Sequence, residues 1–367
     1  MSARERNSGG GGAPPPWGVG EAVRAGGEGG AGDALLLQSS PFLRQGVTTP
    51  RIMGDVVIAL VPVVAVAVWA FGLSAILVLA AATAGAVGTE WLLPPAGTRR
   101  GESLANGSAV LTGILLGLTL PPGIALWMAA LGGAVGIGLG KLVWGGLGQN
   151  LFNPALVGRA FLQAAFPVAI TTWSPPAGPL ALRPTNLAAP FLQPSAGAAA
   201  DAVTTATPLN LMKFEHRATE LPDLFLGNVA GSLGETSALA VLLGLAWLLL
   251  RRACDWRIPV AIVATVAALS GLLWAVAPDR HPSPGFMVLS GGLLFGAVYM
   301  ATDPVTSPLA PRGVWLFGFG IGALVVLIRL WGGLPEGVMY AILLMNAAAP
   351  LIERATQPKA FGRGRAA

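Results

Sequence analysis

The chain has 367 residues, of which 54% are hydrophobic and only 11% charged, with 51 glycines, 30 prolines and 11 tryptophans. A soluble domain carries about 25% charged residues, so a water-soluble enzyme of this size is excluded, and a mean hydropathy of +0.68 indicates a multi-pass membrane protein. The single cysteine, Cys254, excludes an intramolecular disulfide and any multi-cysteine metal site, and two histidines, His216 and His281, are too few for haem ligation inside a bundle. In a membrane protein the net charge of +5 is read for topology and not as a sign of nucleic acid.

Taken in chain order, residues 1–38 lack an apolar core segment and are rich in Gly and Pro, which predicts a disordered cytoplasmic tail and not a signal peptide. Apolar runs then predict about ten helices at 55–71, 73–93, 107–120, 123–143, 154–171, 236–250, 258–277, 285–301, 313–330 and 336–353. With both termini cytoplasmic, all but five of the 22 lysines and arginines fall on cytoplasmic segments or helix ends, the five being Arg183, Lys213, Arg217, Arg280 and Arg329. This places the long connection 172–235 on the extracytoplasmic side.

Two blocks recur. Val110-Leu111-Thr112-Gly113-Ile114-Leu115-Leu116-Gly117 in the third run resembles Val288-Leu289-Ser290-Gly291-Gly292-Leu293-Leu294 in the eighth, and Trp144-Gly145-Gly146-Leu147 recurs as Trp331-Gly332-Gly333-Leu334. The copies lie an odd number of crossings apart, which predicts two inverted repeats, 39–171 and 236–353, ahead of a cytoplasmic tail at 354–367. The expected fold is therefore all-α and integral to the membrane, with some helices interrupted, at Pro121-Pro122 in the third and at Asp303-Pro304 in the eighth. Prolines that merely end ordinary helices are the plainer reading of both places.

The external connection contains Asp201-Ala202-Val203-Thr204-Thr205-Ala206-Thr207-Pro208. Thr207 suits a helix N-cap and Pro208 the first helical position, and a helix N-terminus is also where a phosphate is best held. Elsewhere, Asn106, Asn150 and Asn153 border predicted helices, where amides either cap the helix or bind a ring or ion. Asp303 is the stronger candidate for ion coupling or a cofactor contact, because carboxylates at membrane depth are more often functional. Asp55 lies at a predicted helix end, Glu102 and Arg159 read as interfacial charges, and the tryptophans near helix ends read as interfacial anchors.

The Asp-x-x-Thr-x-Ala-Thr pattern resembles the site at which a flavin transferase attaches FMN through a phosphoester to the final threonine, Thr207 here. Further blocks are Ser40-Pro41-Phe42, Thr49-Pro50-Arg51-Ile52-Met53, Asn106-Gly107-Ser108-Ala109-Val110-Leu111-Thr112-Gly113, Gly145-Gly146-Leu147-Gly148-Gln149-Asn150-Leu151-Phe152-Asn153-Pro154-Ala155, Thr302-Asp303-Pro304-Val305-Thr306 and Gly332-Gly333-Leu334-Pro335-Glu336-Gly337. Together they make the chain similar to the family of D subunits of Rnf-type electron-transport complexes and the related B subunits of sodium-pumping NADH:quinone oxidoreductases. Two features depart from the family pattern: Thr205 precedes the Ala-Thr, and the Gly/Pro-rich tail is extra.

The resemblance implies a flavin-carrying membrane subunit of a translocating oxidoreductase in the cytoplasmic membrane, coupling electron transfer to Na⁺ or H⁺ movement. Covalent FMN would sit on Thr207 on the extracytoplasmic side, with Asp201, Thr204 and Ala206 as recognition elements for the transferase and room for a second, non-covalent flavin (riboflavin or FMN). Partners would be the other subunits and the flavin transferase within the lipid bilayer, with no metal and no nucleic acid. The alternative is a solute channel or transporter on the same inverted-repeat body, without flavin.

Overall fold

The computed structural model describes residues 48–95, 100–190 and 205–357. The expected tail 1–38, Asp201, Thr204 and most of the expected tail 354–367 lie outside the described residues. Among the described residues the chain is helical and contains no strand.

α1 (Thr49–Phe71) and α2 (Leu73–Leu92) form a hairpin joined at Gly72, whose φ of 64° and close approach to the backbone of residues 178–181 leave no room for a side chain. α3 (Ser108–Leu118) is short, α4 (Leu126–Ile137) continues as a π-turn over Gly138–Leu142, and α5 (Pro154–Ala165) is followed by α6 (Pro167–Thr171). The long connection 172–235 holds α7 (Pro208–Glu215) and α8 (Leu221–Leu226). The chain then re-enters as α9 (Ala238–Leu250), α10 (Arg257–Val276), α11 (Pro284–Leu289), α12 (Leu293–Phe295) with a π-turn over Gly296–Met300, α13 (Pro311–Trp331) and α14 (Val338–Thr356).

Five of these, α1, α2, α10, α13 and α14, are long and apolar enough to cross a bilayer, while α3, α4 with its π-turn, and α9 are shorter apolar helices. Every apolar run read from the sequence falls on helix, but two are broken. Pro167 cannot continue α5, so the run 154–171 divides at Phe166. The run 285–301 divides at Ser290–Gly292, not at Asp303-Pro304, which follow its end. The physical cause is Gly291, whose φ of 63° turns the backbone out of helix. α1 also begins at Thr49, so Asp55 is not at a helix end but inside α1, buried and paired with Arg251 at 3.0 Å.

Small residues let α2, α3 and α4 approach closely: a Cβ on Gly85, Gly113 or Gly133 would overlap the backbone of Ala130, Thr83 or Ala82. At the end of this bundle Lys141, on the π-turn, reaches Glu90 on α2 at 2.7 and 2.8 Å and Ser108 at 2.6 Å. Lys141 is 1% and Glu90 0% exposed, so each charge depends on the other. Lys141→Met strands the carboxylate and is expected to cost about 3–5 kcal/mol, read as a lower unfolding temperature in detergent. The double variant with Glu90→Gln should recover most of that loss; equal melting of single and double variants would contradict the coupling.

Candidate functional site

Local sequence builds α7 as expected. Thr207 is its N-cap, with Oγ1 accepting from the Asn210 N–H at 3.3 Å and Pro208 at the first helical position. His216 ends the helix in a left-handed conformation. Lys213 donates to the carbonyls of Arg329, Gly332 and Leu334, at 3.1, 2.5 and 2.9 Å, which fastens α7 to the end of α13 and the turn beyond it. Thr207 is only 5% exposed, whereas Ala206 is exposed. The Thr205 N–H donates to the Trp173 carbonyl at 3.1 Å.

Thr207 lines a cavity of about 150 Å³ walled by Trp173, Phe295, Met300 and Met339, with Arg159, Glu235 and Glu336 among its polar groups. Arg159, on α5, donates to the Thr119 carbonyl beyond the end of α3 at 2.8 Å and meets Glu235 at 3.5 Å and Glu336 at 2.9 Å. Arg329, on α13 and 4% exposed, donates to the carbonyls of Met287 and Ser290 at the end of α11, at 2.5 and 2.9 Å. Gly291 and Gly292 let the carboxylates rest against bare backbone: a Cβ on Gly291 would lie 3.0 Å from Glu336 Oε1 and 3.3 Å from Arg329 Nη2, and one on Gly292 would lie 2.6 Å from Glu235 Oε1. Burial, then the neighbouring Glu336 charge, pushes the Glu235 carboxyl up to about 8, against the pull of Arg159.

A second, inner cavity of about 70 Å³ brings together Asn150, Asn153 and Asp303 with Ser108, Lys141 and Thr302. Asn153 caps α5, accepting from the Ala155 N–H at 3.0 Å and donating to the Met300 carbonyl at 3.3 Å. Asp303 accepts from the Val305 N–H and the Thr306 hydroxyl. Asn150 donates to the Phe152 carbonyl while its Oδ1 is buried without a partner, which leaves an acceptor for a ligand donor. Asn106 does not line this cavity; its Oδ1 accepts from the Ser108 N–H and hydroxyl, and so joins the Lys141–Glu90 network.

The sequence reading missed Glu235, Glu336 and Arg329 and took Arg159 for an interfacial charge, although it is buried. The one available signal was an arginine inside an apolar run. Gly291→Ala forces a left-handed alanine, at a cost of about 1–2 kcal/mol, and drives its methyl against Leu209 of α7. It is expected to lower the unfolding temperature and expose α7 to protease, whereas Gly88→Ala, with open space at its Cβ, should not. Equal behaviour of the two variants would refute the close packing.

Comparison with known proteins follows the same lines. The model of the NQR2, RnfD, RnfE family matches residues 36–362. The D subunit of the ion-translocating oxidoreductase complex of Stutzerimonas stutzeri is 44% identical over 326 residues, covering 85% of this chain and 92% of its own. The D subunit of the proton-translocating ferredoxin:NAD(+) oxidoreductase complex of Clostridium ljungdahlii is 40% identical over 341 residues, covering 90% and 97%. Its Na(+)-translocating counterpart from Acetobacterium woodii is 39% identical over 333 residues, covering 89% and 95%. With coverage of this extent, the chain belongs to the NQR2, RnfD, RnfE family.

Proposed function

We propose that this chain is the D subunit of an ion-translocating ferredoxin:NAD⁺ oxidoreductase complex in the cytoplasmic membrane, with both termini cytoplasmic and FMN joined to Thr207 by a phosphoester on the opposite side. The observation that carries the reading is the position of Thr207. It is the N-cap of α7 and stands in the wall of a cavity faced by aromatic and thioether side chains. The residues present fit the group. Phe295, Met300 and Met339 offer flat or polarisable apolar surface to a tricyclic ring, and Arg159 brings positive charge. The first-turn N–H groups of α7 suit a phosphate at the Thr207 oxygen.

Bound there, the flavin would supply one-electron and two-electron redox chemistry. The chain's own work is to hold and shield it. Lys213 fixes α7 against α13, Trp173 and Met339 exclude water, and the Gly291-Gly292 break brings charged groups to the cavity floor. For the second, non-covalent flavin the inner cavity offers the unpartnered Asn150 Oδ1 as an acceptor for an imide N–H, with Asn153 and Asp303 beside it. Electrons would pass to and from the other subunits, and a flavin transferase would install the FMN.

Co-expression with a flavin transferase, followed by mass spectrometry of the peptide containing Thr207, tests the attachment. The wild-type and Thr207→Ser chains should carry one FMN, and Thr207→Ala should lose it entirely along with the flavin fluorescence of the denatured band. An unmodified wild-type peptide would refute the attachment and favour a flavin-free channel, whereas an adduct that persists in Thr207→Ala would refute the assignment to Thr207 and place the flavin on another residue.

A further inference from the structure

The most unusual feature of the cavity is its floor. Glu235 comes from the segment that precedes α9 and Glu336 from the turn that precedes α14, yet their carboxylates meet over the Gly291-Gly292 backbone. The Glu235 side chain is 6% exposed and that of Glu336 19%. Arg159 from α5 reaches both, and Arg329 from α13 lies with Glu336 against the Cβ position of Gly291. α7 contributes only the neutral Thr207 and Asn210 to the cavity, and α14 contributes Tyr340.

Two carboxylates in such a place face a conflict. Each has a guanidinium nearby, but those guanidiniums are shared with backbone carbonyls: Arg159 donates also to Thr119, and Arg329 to Met287 and Ser290. Arg159 gives Glu336 a close bond at 2.9 Å and leaves Glu235 with a long one at 3.5 Å. Glu336 Oε1 and Arg329 Nε are both buried without a hydrogen-bond partner. An unmet acceptor and an underbonded carboxylate side by side are resolved if one of the carboxyls carries a hydrogen and donates it to the other.

We propose that Glu235 and Glu336 hold a single exchangeable proton between them, forming a proton-binding site at the floor of the Thr207 cavity. Binding forms an O–H bond on one carboxyl, with the proton drawn from hydronium, and leaves the other as its anionic acceptor. Two guanidinium charges then face one carboxylate charge. A negative charge added to the cavity strengthens the hold on the proton, and its removal weakens it. An electron at Thr207 is such a charge, and to that extent the coupling rests on the flavin reading, but the pair itself is built from side chains that need no flavin. Burial, then repulsion by Glu336, pushes the Glu235 carboxyl up to about 8.

The experiment therefore uses the full-length chain carrying Thr207→Ala, which removes the attachment hydroxyl, and follows the infrared C=O stretch of protonated carboxyls against pH. One carboxyl signal should disappear as the pH rises through about 8. Glu235→Gln, isosteric with the protonated form, should abolish that transition. Glu336→Gln should move it to lower pH, because the repelling charge is gone and the amide N–H can donate to the Glu235 carboxylate. Gel filtration and melting verify that the variants fold. The absence of any carboxyl titrating between about pH 6 and 10, or a transition unchanged in either Gln variant, would overturn the proposal. Neither outcome bears on FMN attachment, which the peptide mass decides separately.

Discussion

Backbone groups without partners are the constraint from which the rest of this structure follows. Hydrocarbon offers nothing to hydrogen-bond, so a helix that stops inside a membrane body must have its last carbonyls met by other parts of the protein. α3 stops after Leu118, and the carbonyls that follow are met one by one. Gly234 donates to Leu118, Arg159 to Thr119, Leu233 to Leu120, and Asn186 to both Pro122 and Ile124. α11 stops at Leu289, and Arg329 meets Met287 and Ser290. The end of α13 is met by Lys213 of α7.

This solution has electrical consequences. Guanidinium groups are well suited to satisfying several carbonyls at once, but each brings a full charge into a place where charge is costly. Glu235 and Glu336 offset that charge, and they fit only because Gly291 and Gly292 present no side chains. The same contacts draw the long connection inward. The stretch that leads into α9 docks on the end of α3, and α7 docks on α13, so Thr207 comes to the wall of a cavity whose floor is charged. The functional site is thus a by-product of satisfying broken helices. Away from it, Lys141 and Glu90 form a second buried pair joined to Asn106 through Ser108.

What was legible in the sequence was local. The N-cap at Thr207 needs only Pro208 and the following apolar residues, and the cap at Asn153 needs only Pro154, so both were readable from spacing. The membrane character and the placement of most helices follow from apolar runs of the right length. The interruption in the eighth run was misplaced because proline is the louder signal. Asp303-Pro304 merely follow the helix, whereas Gly291 turns the chain by adopting a backbone conformation that sequence permits but does not announce. Arg159 was undervalued for a related reason: its partners Glu235 and Glu336 lie 76 and 177 residues further along the chain.

The sequence by itself determined that this is a helical membrane protein of a recognisable family, with a threonine poised at the start of a short helix in the long connection. Those properties depend on composition, on hydrophobic run length and on contacts between residues a few positions apart. Tertiary structure alone decided that Thr207 faces a cavity, that Asn150, Asn153 and Asp303 share another while Asn106 does not, and that two glutamates meet between two arginines. Broken helices leave carbonyls that only distant residues can satisfy, and which residues those are is settled by packing in three dimensions.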